Sequence, residues 1–114
     1  MLNLFFIACI ILSNLLAGPS VRTVTFYTVA DAGCNNITAD GSRITDGTEP
    51  WCAVSRELRK AYPYKSIIYV EGIGLLAVHD TMAPRIRNTI DVLRPVGKAK
   101  GKYRRSVYLI WRTN

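Results

Sequence analysis

The feature of this sequence that most constrains its fold is that the apolar residues come in short runs, each bounded by residues that favour turns. Residues 22–28 alternate, with Val24 and Phe26 on one face and polar or aromatic residues on the other, which predicts a strand. Similar runs predict strands at residues 66–72, 75–80, 89–93 and 106–112, with a shorter apolar element at 53–54. On the last of these, Val107, Leu109 and Trp111 are expected to share a face.

One short helix is predicted over residues 56–61. Ser55 can cap its first turn, and Pro63 lies just beyond its end. The runs are too short and the loops too many for a helical bundle. Five or six short strands with one short helix therefore favour a small all-β barrel.

The first twenty residues have the form of an export signal. A nearly continuous apolar run extends from Leu4 to Ala17 and is followed by small residues, so cleavage is expected after Ala17 or Ser20. An uncleaved anchor is the alternative, although the run is short for a full membrane span. We expect residues 1–20 to be a signal peptide or N-terminal anchor, and residues 21–114 to form one domain that is secreted, periplasmic or held at the cell envelope.

Export would leave Cys34 and Cys52 as an even pair, because Cys9 would be removed with the signal. A disulfide between them would stabilise the domain by roughly 3 kcal/mol. Two buried free thiols are the alternative. Two cysteines and one distant histidine do not supply four zinc ligands, so no metal is expected. The chain also has no glycine-rich phosphate loop, and no cofactor is expected.

The formal charge of +7 concentrates late in the chain, from Lys98 to Arg112. A basic balance first suggests nucleic acid, but an exported protein meets other polyanions first. We therefore expect anionic wall polymers or a membrane surface as possible partners, no nucleic acid, and a monomer. A solvated basic face with no partner is the alternative.

Two aspartates, Asp80 and Asp91, lie eleven positions apart at the ends of a basic loop. Asp91 is set among Ile90, Val92 and Leu93, where a carboxylate is costly unless its charge is satisfied or used. Glycosidic bond cleavage needs a carboxylic acid that holds its proton, and a second carboxylate nearby helps it to do so. Simple alternation places Asp80 on the same side of its strand as Val78.

Both aspartates also have simpler interpretations. Asp80 can close a turn at a strand end, and Asp91 can pair with Arg85 or Arg87. Alternation places His79 on the opposite side from Asp80. As the only histidine of the chain, it is expected to be a packed or hydrogen-bonded residue rather than a base.

Four segments in order resemble the three-aspartate (3D) domain of membrane-bound lytic transglycosylase A and of small muralytic cell-wall proteins. They are "TADGSRI" (38–44), "CAVSREL" (52–58), "SIIYVEGIGLLAVHDT" (66–81) and "RNTIDVL" (87–93). The resemblance implies a six-stranded double-psi β-barrel and cleavage of the MurNAc–GlcNAc bond of peptidoglycan to a 1,6-anhydro product. It also implies that Asp91 is the acid/base, that Asp80 supports it, and that Thr38 lines the substrate groove.

The chain departs from this family at two places. Ser55 stands where the family has its first aspartate, and the loop between the retained aspartates reads "MAPRIRN". Ser55, Arg85, Arg87 and Asn88 are candidate substrate-binding residues, and the two arginines can instead balance the carboxylates. Three functions stay open: a lytic transglycosylase acting on peptidoglycan strands, a non-catalytic glycan-binding module, and a basic exported protein that uses the barrel for another purpose.

Overall fold

The computed structural model describes residues 19–30, 36–98 and 100–113. It contains six strands: β1 (Ser20–Tyr27), β2 (Trp51–Val54), β3 (Ile67–Val70), β4 (Gly74–Thr81), β5 (Thr89–Leu93) and β6 (Tyr103–Trp111). They close into one barrel in the order β1-β5-β2-β4-β3-β6. The only helical element of the described residues is a 3-10 turn at Arg56–Leu58. The small six-stranded all-β barrel predicted from the sequence is confirmed.

The predicted export segment lies almost wholly outside the described residues, since the description begins at Pro19. Ser20, the last residue of that predicted segment, is the first residue of β1 and pairs with Val107. Within the described part of the chain, no helix has the length and apolar character needed to cross a bilayer.

The barrel mixes parallel and antiparallel pairs. β1 runs parallel to β5, and β2 runs parallel to β4, while β5 and β2 are antiparallel neighbours. The two parallel pairs therefore lie side by side, as β1-β5-β2-β4, and β5 and β2 form the centre of this four-stranded stretch. Both aspartates singled out by the sequence lie on it.

The barrel interior is filled mainly by β-branched side chains, which suit a pleated, buried surface. Burying each such side chain stabilises the fold by about 1.5–3 kcal/mol. The fully buried members of this core include Val24, Val54, Val78, Ile90 and Val92, all with no exposed surface.

The predicted helix over residues 56–61 is wrong in extent, because only Arg56–Leu58 is helical and only as a 3-10 turn. Ser55 provides no side-chain cap to this turn. Its hydroxyl is instead bonded to the backbone of Thr89 at the start of β5. The predicted helix therefore lacks the side-chain acceptor that was expected to cap its first turn.

The last strand also differs from its prediction. β6 begins at Tyr103, three residues earlier than expected, within the basic segment. Its register with β3 shifts at one point, so that Leu109 pairs with Ile68 but Trp111 pairs with Ile67. The extra residue turns Trp111 away from the face of Val107 and Leu109, which corrects the expected shared face. Trp111 is accordingly 43% exposed, whereas Val107 is 2% exposed.

Candidate functional site

Asp80 and Asp91 are brought together by their common neighbour, Ala53. Asp91 on β5 is the register partner of Ala53 on β2. Asp80 on β4 is the register partner of Ala53 on the other side. Adjacent strands lie about 4.8 Å apart, so the two aspartate Cα atoms are separated by roughly 10 Å across β2. Because register partners project from the same face of a sheet, both carboxylates lie on the face of Ala53.

That face is the outside of the barrel, which corrects the expected orientation of Asp80. Cys52 pairs with Val78, and both are fully buried, but the next residue of β2, Ala53, pairs with Asp80 rather than with His79. This register shift inserts one extra residue into β4. Asp80 therefore leaves the interior face of Val78 and joins the outer face of Asp91.

Asp91 lies on β5 between two core residues. Ile90 and Val92 on either side of it are fully buried, whereas Asp91 itself is half-buried. Thr25, its register partner on β1, donates a hydrogen bond from its hydroxyl to Asp91 Oδ1 at 2.8 Å. A carboxylate held in this way, at the middle of a four-stranded surface, has one oriented oxygen and stays accessible from outside.

Asp80 is held by two backbone amides. Its Oδ1 accepts hydrogen bonds from the N–H of Ala39 and the N–H of Thr81, both at 2.9 Å. Ala39 belongs to a loop 41 positions earlier in the chain, so the position of this carboxylate depends on how that loop is docked. The two bonds from backbone N–H groups fix the position of this oxygen.

Thr38 belongs to the same loop but is not presented to solvent. It is 4% exposed, and its hydroxyl donates to Asp40 Oδ1 at 2.6 Å. Its oxygen also accepts from the N–H of Ser42 at 3.1 Å. Thr38 thus organises the turn beside Asp80, and the structure does not place it as the open groove hydroxyl that the resemblance implies.

Ser55 is fully buried, and its hydroxyl acts both as donor and as acceptor toward the same neighbour. The oxygen accepts from the N–H of Thr89 at 2.8 Å, and the hydroxyl donates to the carbonyl of Thr89 at 3.2 Å. The predicted substrate-binding role of Ser55 is at odds with this placement, because no part of the side chain reaches the surface. Ser55 joins the end of β2 to the start of β5.

The loop residues proposed to contact substrate fall into two groups. Arg85 and Arg87 are exposed, and Arg87 Nε lies 3.7 Å from Glu57 Oε2. Asn88 is a structural residue: it has a positive φ of 52°, and its Oδ1 accepts from Arg22 Nη1 at 2.7 Å. Its N–H donates to Glu57 Oε2 at 3.0 Å. Only the two arginines are therefore free to contact a ligand with their side chains.

The predicted disulfide between Cys34 and Cys52 is not confirmed. Cys34 lies outside the described residues, and Cys52 is a free, fully buried thiol. Burial, and secondarily the negative charge of Asp91, raises the pKa of the Cys52 thiol well above its usual range.

Sequence reasoning missed a polar cluster next to Asp80, formed by Asp40, Ser42, His79 and Trp51. His79 Nδ1 lies 2.6 Å from Asp40 Oδ2 and 3.0 Å from Ser42 Oγ. The ring of His79 packs against Trp51 with centroids 4.3 Å apart. The interpretation of His79 as a packed, hydrogen-bonded residue is confirmed, but its partners are 39 and 37 positions away and could not be read from local pattern.

A search of the described residues finds no group of three or more histidine, cysteine or acidic side chains that could hold a metal ion. No protein-family model matches this chain, and no curated protein sequence matches it. The resemblance to the three-aspartate domain therefore remains a prediction from the quoted motifs, since a six-stranded barrel alone does not identify that family.

Proposed function

We propose that this protein is a peptidoglycan lytic transglycosylase that cleaves the MurNAc–GlcNAc bond and leaves a 1,6-anhydro end. The observation that carries the proposal is the shared register partner of its two aspartates. Asp91 and Asp80 flank Ala53 on one outer face, where Ala53 projects only a methyl group between them. Two carboxyl groups on one face provide the acid/base and the supporting carboxylate that the proposal uses.

The separation of the two aspartates suits a sugar ring. Their Cα atoms stand roughly 10 Å apart, which is comparable with the roughly 5–9.5 Å that separates the carboxyl groups of glycosidases. Arg85 and Arg87 lie on the exposed loop between β4 and β5, near enough in sequence to both strands to contact acetamido or lactyl groups of the glycan.

Asp91 is the acid/base in this proposal. Its carboxylic acid donates a proton to the glycosidic oxygen as the bond from that oxygen to the anomeric carbon breaks. The C6 hydroxyl of the same sugar then attacks the anomeric carbon, and its proton passes to the Asp91 carboxylate. The residue ends protonated as it began, and no water is consumed. Thr25 orients the carboxyl group through its hydrogen bond to Oδ1.

Asp80 is the supporting carboxylate. The two amide donors fix the position of its Oδ1, and in this proposal its carboxylate stabilises the oxocarbenium-like transition state. We assign the two roles from the surroundings of each aspartate. Asp91, the acid/base, lies between core residues, and Asp80, the supporting carboxylate, lies at a strand end with amide donors.

The test is incubation of the purified protein with peptidoglycan sacculi, followed by mass spectrometry of the soluble products. Wild-type protein should release anhydro-muropeptides, and Asp91→Asn should release none while keeping the unfolding midpoint of the barrel. Glu71→Gln is the matched control, because Glu71 is an exposed acid outside the aspartate row and should keep full activity. Full activity in Asp91→Asn would contradict the assignment.

A non-catalytic glycan-binding module is the second candidate, and one observation favours it. Ser55, which is buried and uncharged, stands at the position of the first aspartate of the resembled family. In this case the wild-type protein would sediment with sacculi but release no anhydro product, and Asp91→Asn would weaken sedimentation instead of catalysis.

A further inference from the structure

The loop beside Asp80 is docked onto β4 by a set of bonds that converge on two consecutive residues, His79 and Asp80. The N–H of Ala39 donates to Asp80 Oδ1 at 2.9 Å, and the N–H of Asp40 donates to the carbonyl of His79 at 3.2 Å. The same short turn therefore contacts the backbone of one residue and the carboxylate of the next.

Asp40 is the centre of this turn. Its Oδ1 accepts from Thr38 Oγ1 at 2.6 Å and from the N–H of Ser42 at 3.1 Å, while its Oδ2 faces His79 Nδ1 at 2.6 Å. The Asp40 side chain is only 6% exposed, and that of His79 only 13%. An acidic side chain so well enclosed persists only when its oxygens are bonded, as these are.

The charge state of the pair follows from these bonds. Burial of Asp40 opposes its ionisation, but hydrogen bonds from Thr38, His79 and Ser42 outweigh burial and lower the pKa of the carboxyl group below its ordinary value. An ionised carboxylate only accepts hydrogen bonds, so the Nδ1 of His79 must carry a proton that it donates to Oδ2. Packing of the ring against Trp51 fixes its plane.

We propose that Asp40 and His79 are a positioning pair that docks the 38–42 turn onto β4, and so holds the Ala39 amide against the supporting carboxylate Asp80. Without the bond from Nδ1 to Asp40, the turn keeps its internal bonds and the backbone bond from Asp40 to His79, but loses the tie from the His79 side chain. In this proposal the backbone bond alone does not hold the Ala39 amide against Asp80. The effect on catalysis rests on the function proposed above, whereas the docking of Ala39 onto Asp80 does not.

Two amide replacements of His79 separate its ring nitrogens. In His79→Asn, the side-chain N–H₂ stands close to the position of Nδ1 and can donate to Asp40. In His79→Gln, the amide stands closer to the position of Nε2. Both variants lose the ring packing on Trp51, so the difference between them reports the Nδ1 contact. Of the two ring nitrogens, Nδ1 alone has a hydrogen-bond partner among the described residues.

The structural readout is nuclear magnetic resonance of the Ala39 amide at fixed pH. The same method also gives the rate of hydrogen exchange of the Ala39 amide, which is the deciding quantity. In wild-type protein this amide should be protected, because it is bonded to Asp80 Oδ1. Protection should persist in His79→Asn and be lost in His79→Gln. Equal protection in the two variants, or none in wild type, would overturn the proposal.

The activity readout is release of anhydro-muropeptides at saturating and at limiting substrate. Displacement of a catalytic group by about 1 Å can cost up to about 100-fold in rate. We expect His79→Gln to lower kcat by about 10- to 100-fold with little change in KM, and His79→Asn to retain most of kcat. The opposite order, with His79→Gln active and His79→Asn inactive, would show that His79 acts through Nε2 and would overturn the positioning role.

The two readouts keep the failures apart. A wild-type protein that releases no anhydro product contradicts the proposed function, but Ala39 protection lost only in His79→Gln still supports the positioning pair. Conversely, Ala39 protection that is retained in His79→Gln contradicts the pair and leaves the transglycosylase proposal standing.

Discussion

The Oγ of Ser55 accepts a hydrogen bond from the N–H of Thr89 at 2.8 Å, at a site where Ser55 has no exposed surface and Thr89 has 5%. The same hydroxyl donates back to the carbonyl of Thr89 at 3.2 Å. The reciprocal bond fixes the first residue of β5, two residues before Asp91, against the end of β2. A position that in the resembled family carries an aspartate is here part of the structural frame of the site.

Ser55→Ala should therefore destabilise the fold. The substitution leaves the N–H of Thr89 buried without that acceptor, which costs about 1–3 kcal/mol. Urea unfolding monitored by tryptophan fluorescence would measure the loss. Ser106→Ala is the control, because the Ser106 hydroxyl makes no hydrogen bond within the described residues; it should change the free energy of unfolding by less than about 0.5 kcal/mol.

Ser55→Asp, which would recreate the family's aspartate, should destabilise the barrel more than Ser55→Ala. A carboxylate placed in this fully buried site would lose its hydration, and the one N–H that bonds the Ser55 hydroxyl there, that of Thr89, compensates its charge poorly. The comparison is of unfolding midpoints at neutral pH. An equal or higher midpoint for Ser55→Asp would contradict our account of Ser55 as a structural residue.

Thr25 offers a test of how Asp91 is oriented. Thr25→Val keeps the shape of the side chain but removes the hydroxyl that donates to Asp91 Oδ1. Loss of this bond frees the carboxyl group to move, and because a displacement of about 1 Å can cost up to about 100-fold in rate, we expect anhydro-product release to fall by about 10- to 100-fold. Thr25→Ser keeps the hydroxyl and should retain most activity. Equal rates in the two variants would show that this bond does not matter for catalysis.

The strands of this barrel could be predicted wherever alternation was undisturbed, and β5, residues 89–93, was predicted with its observed bounds. The start of β6 was missed because Tyr103 and Arg104 are exposed and Arg105 is a charged, half-buried residue, so this stretch lacks an apolar buried face. The outward turn of Asp80 was also missed. It depends on a register shift between β2 and β4. Register is a property of the pairing of two strands, so it cannot be predicted from either segment of the sequence by itself.

The basic segment offers a test of wall attachment. Lys100 and Lys102 are exposed, whereas Arg105 lies over the Tyr103 ring at 4.9 Å and Arg104 contacts Thr23 at 3.4 Å. Replacing both lysines by glutamine should weaken sedimentation with sacculi at low salt. The difference should shrink above 0.1 M salt, where the Debye length falls below about 10 Å.

Arg56→Gln with Lys60→Gln is the charge-matched control for that experiment, since both residues are exposed and lie outside the basic segment. This pair should reduce sedimentation less than the Lys100 and Lys102 pair does. Equal losses would mean that net charge, rather than the segment, governs attachment.

The pKa of Asp40 gives the stability of the turn a defined pH dependence. Its carboxyl group has a folded-state pKa below the ordinary value of 3.8 because hydrogen bonds from Thr38, His79 and Ser42 outweigh the opposing effect of burial. A depressed folded pKa contributes stability that is fully present above the unfolded value. That contribution is lost as pH falls from about 3.8 through the lower folded pKa. Asparagine at position 40 does not titrate. The free energy of unfolding of the wild type should therefore exceed that of Asp40→Asn by a constant amount between pH 7 and 5, and this excess should shrink below pH 4. Glu71→Gln changes an exposed acid outside this turn and is the control. An advantage of wild type over Asp40→Asn that persists unchanged down to pH 2 would show that the Asp40 carboxylate is not held by these bonds.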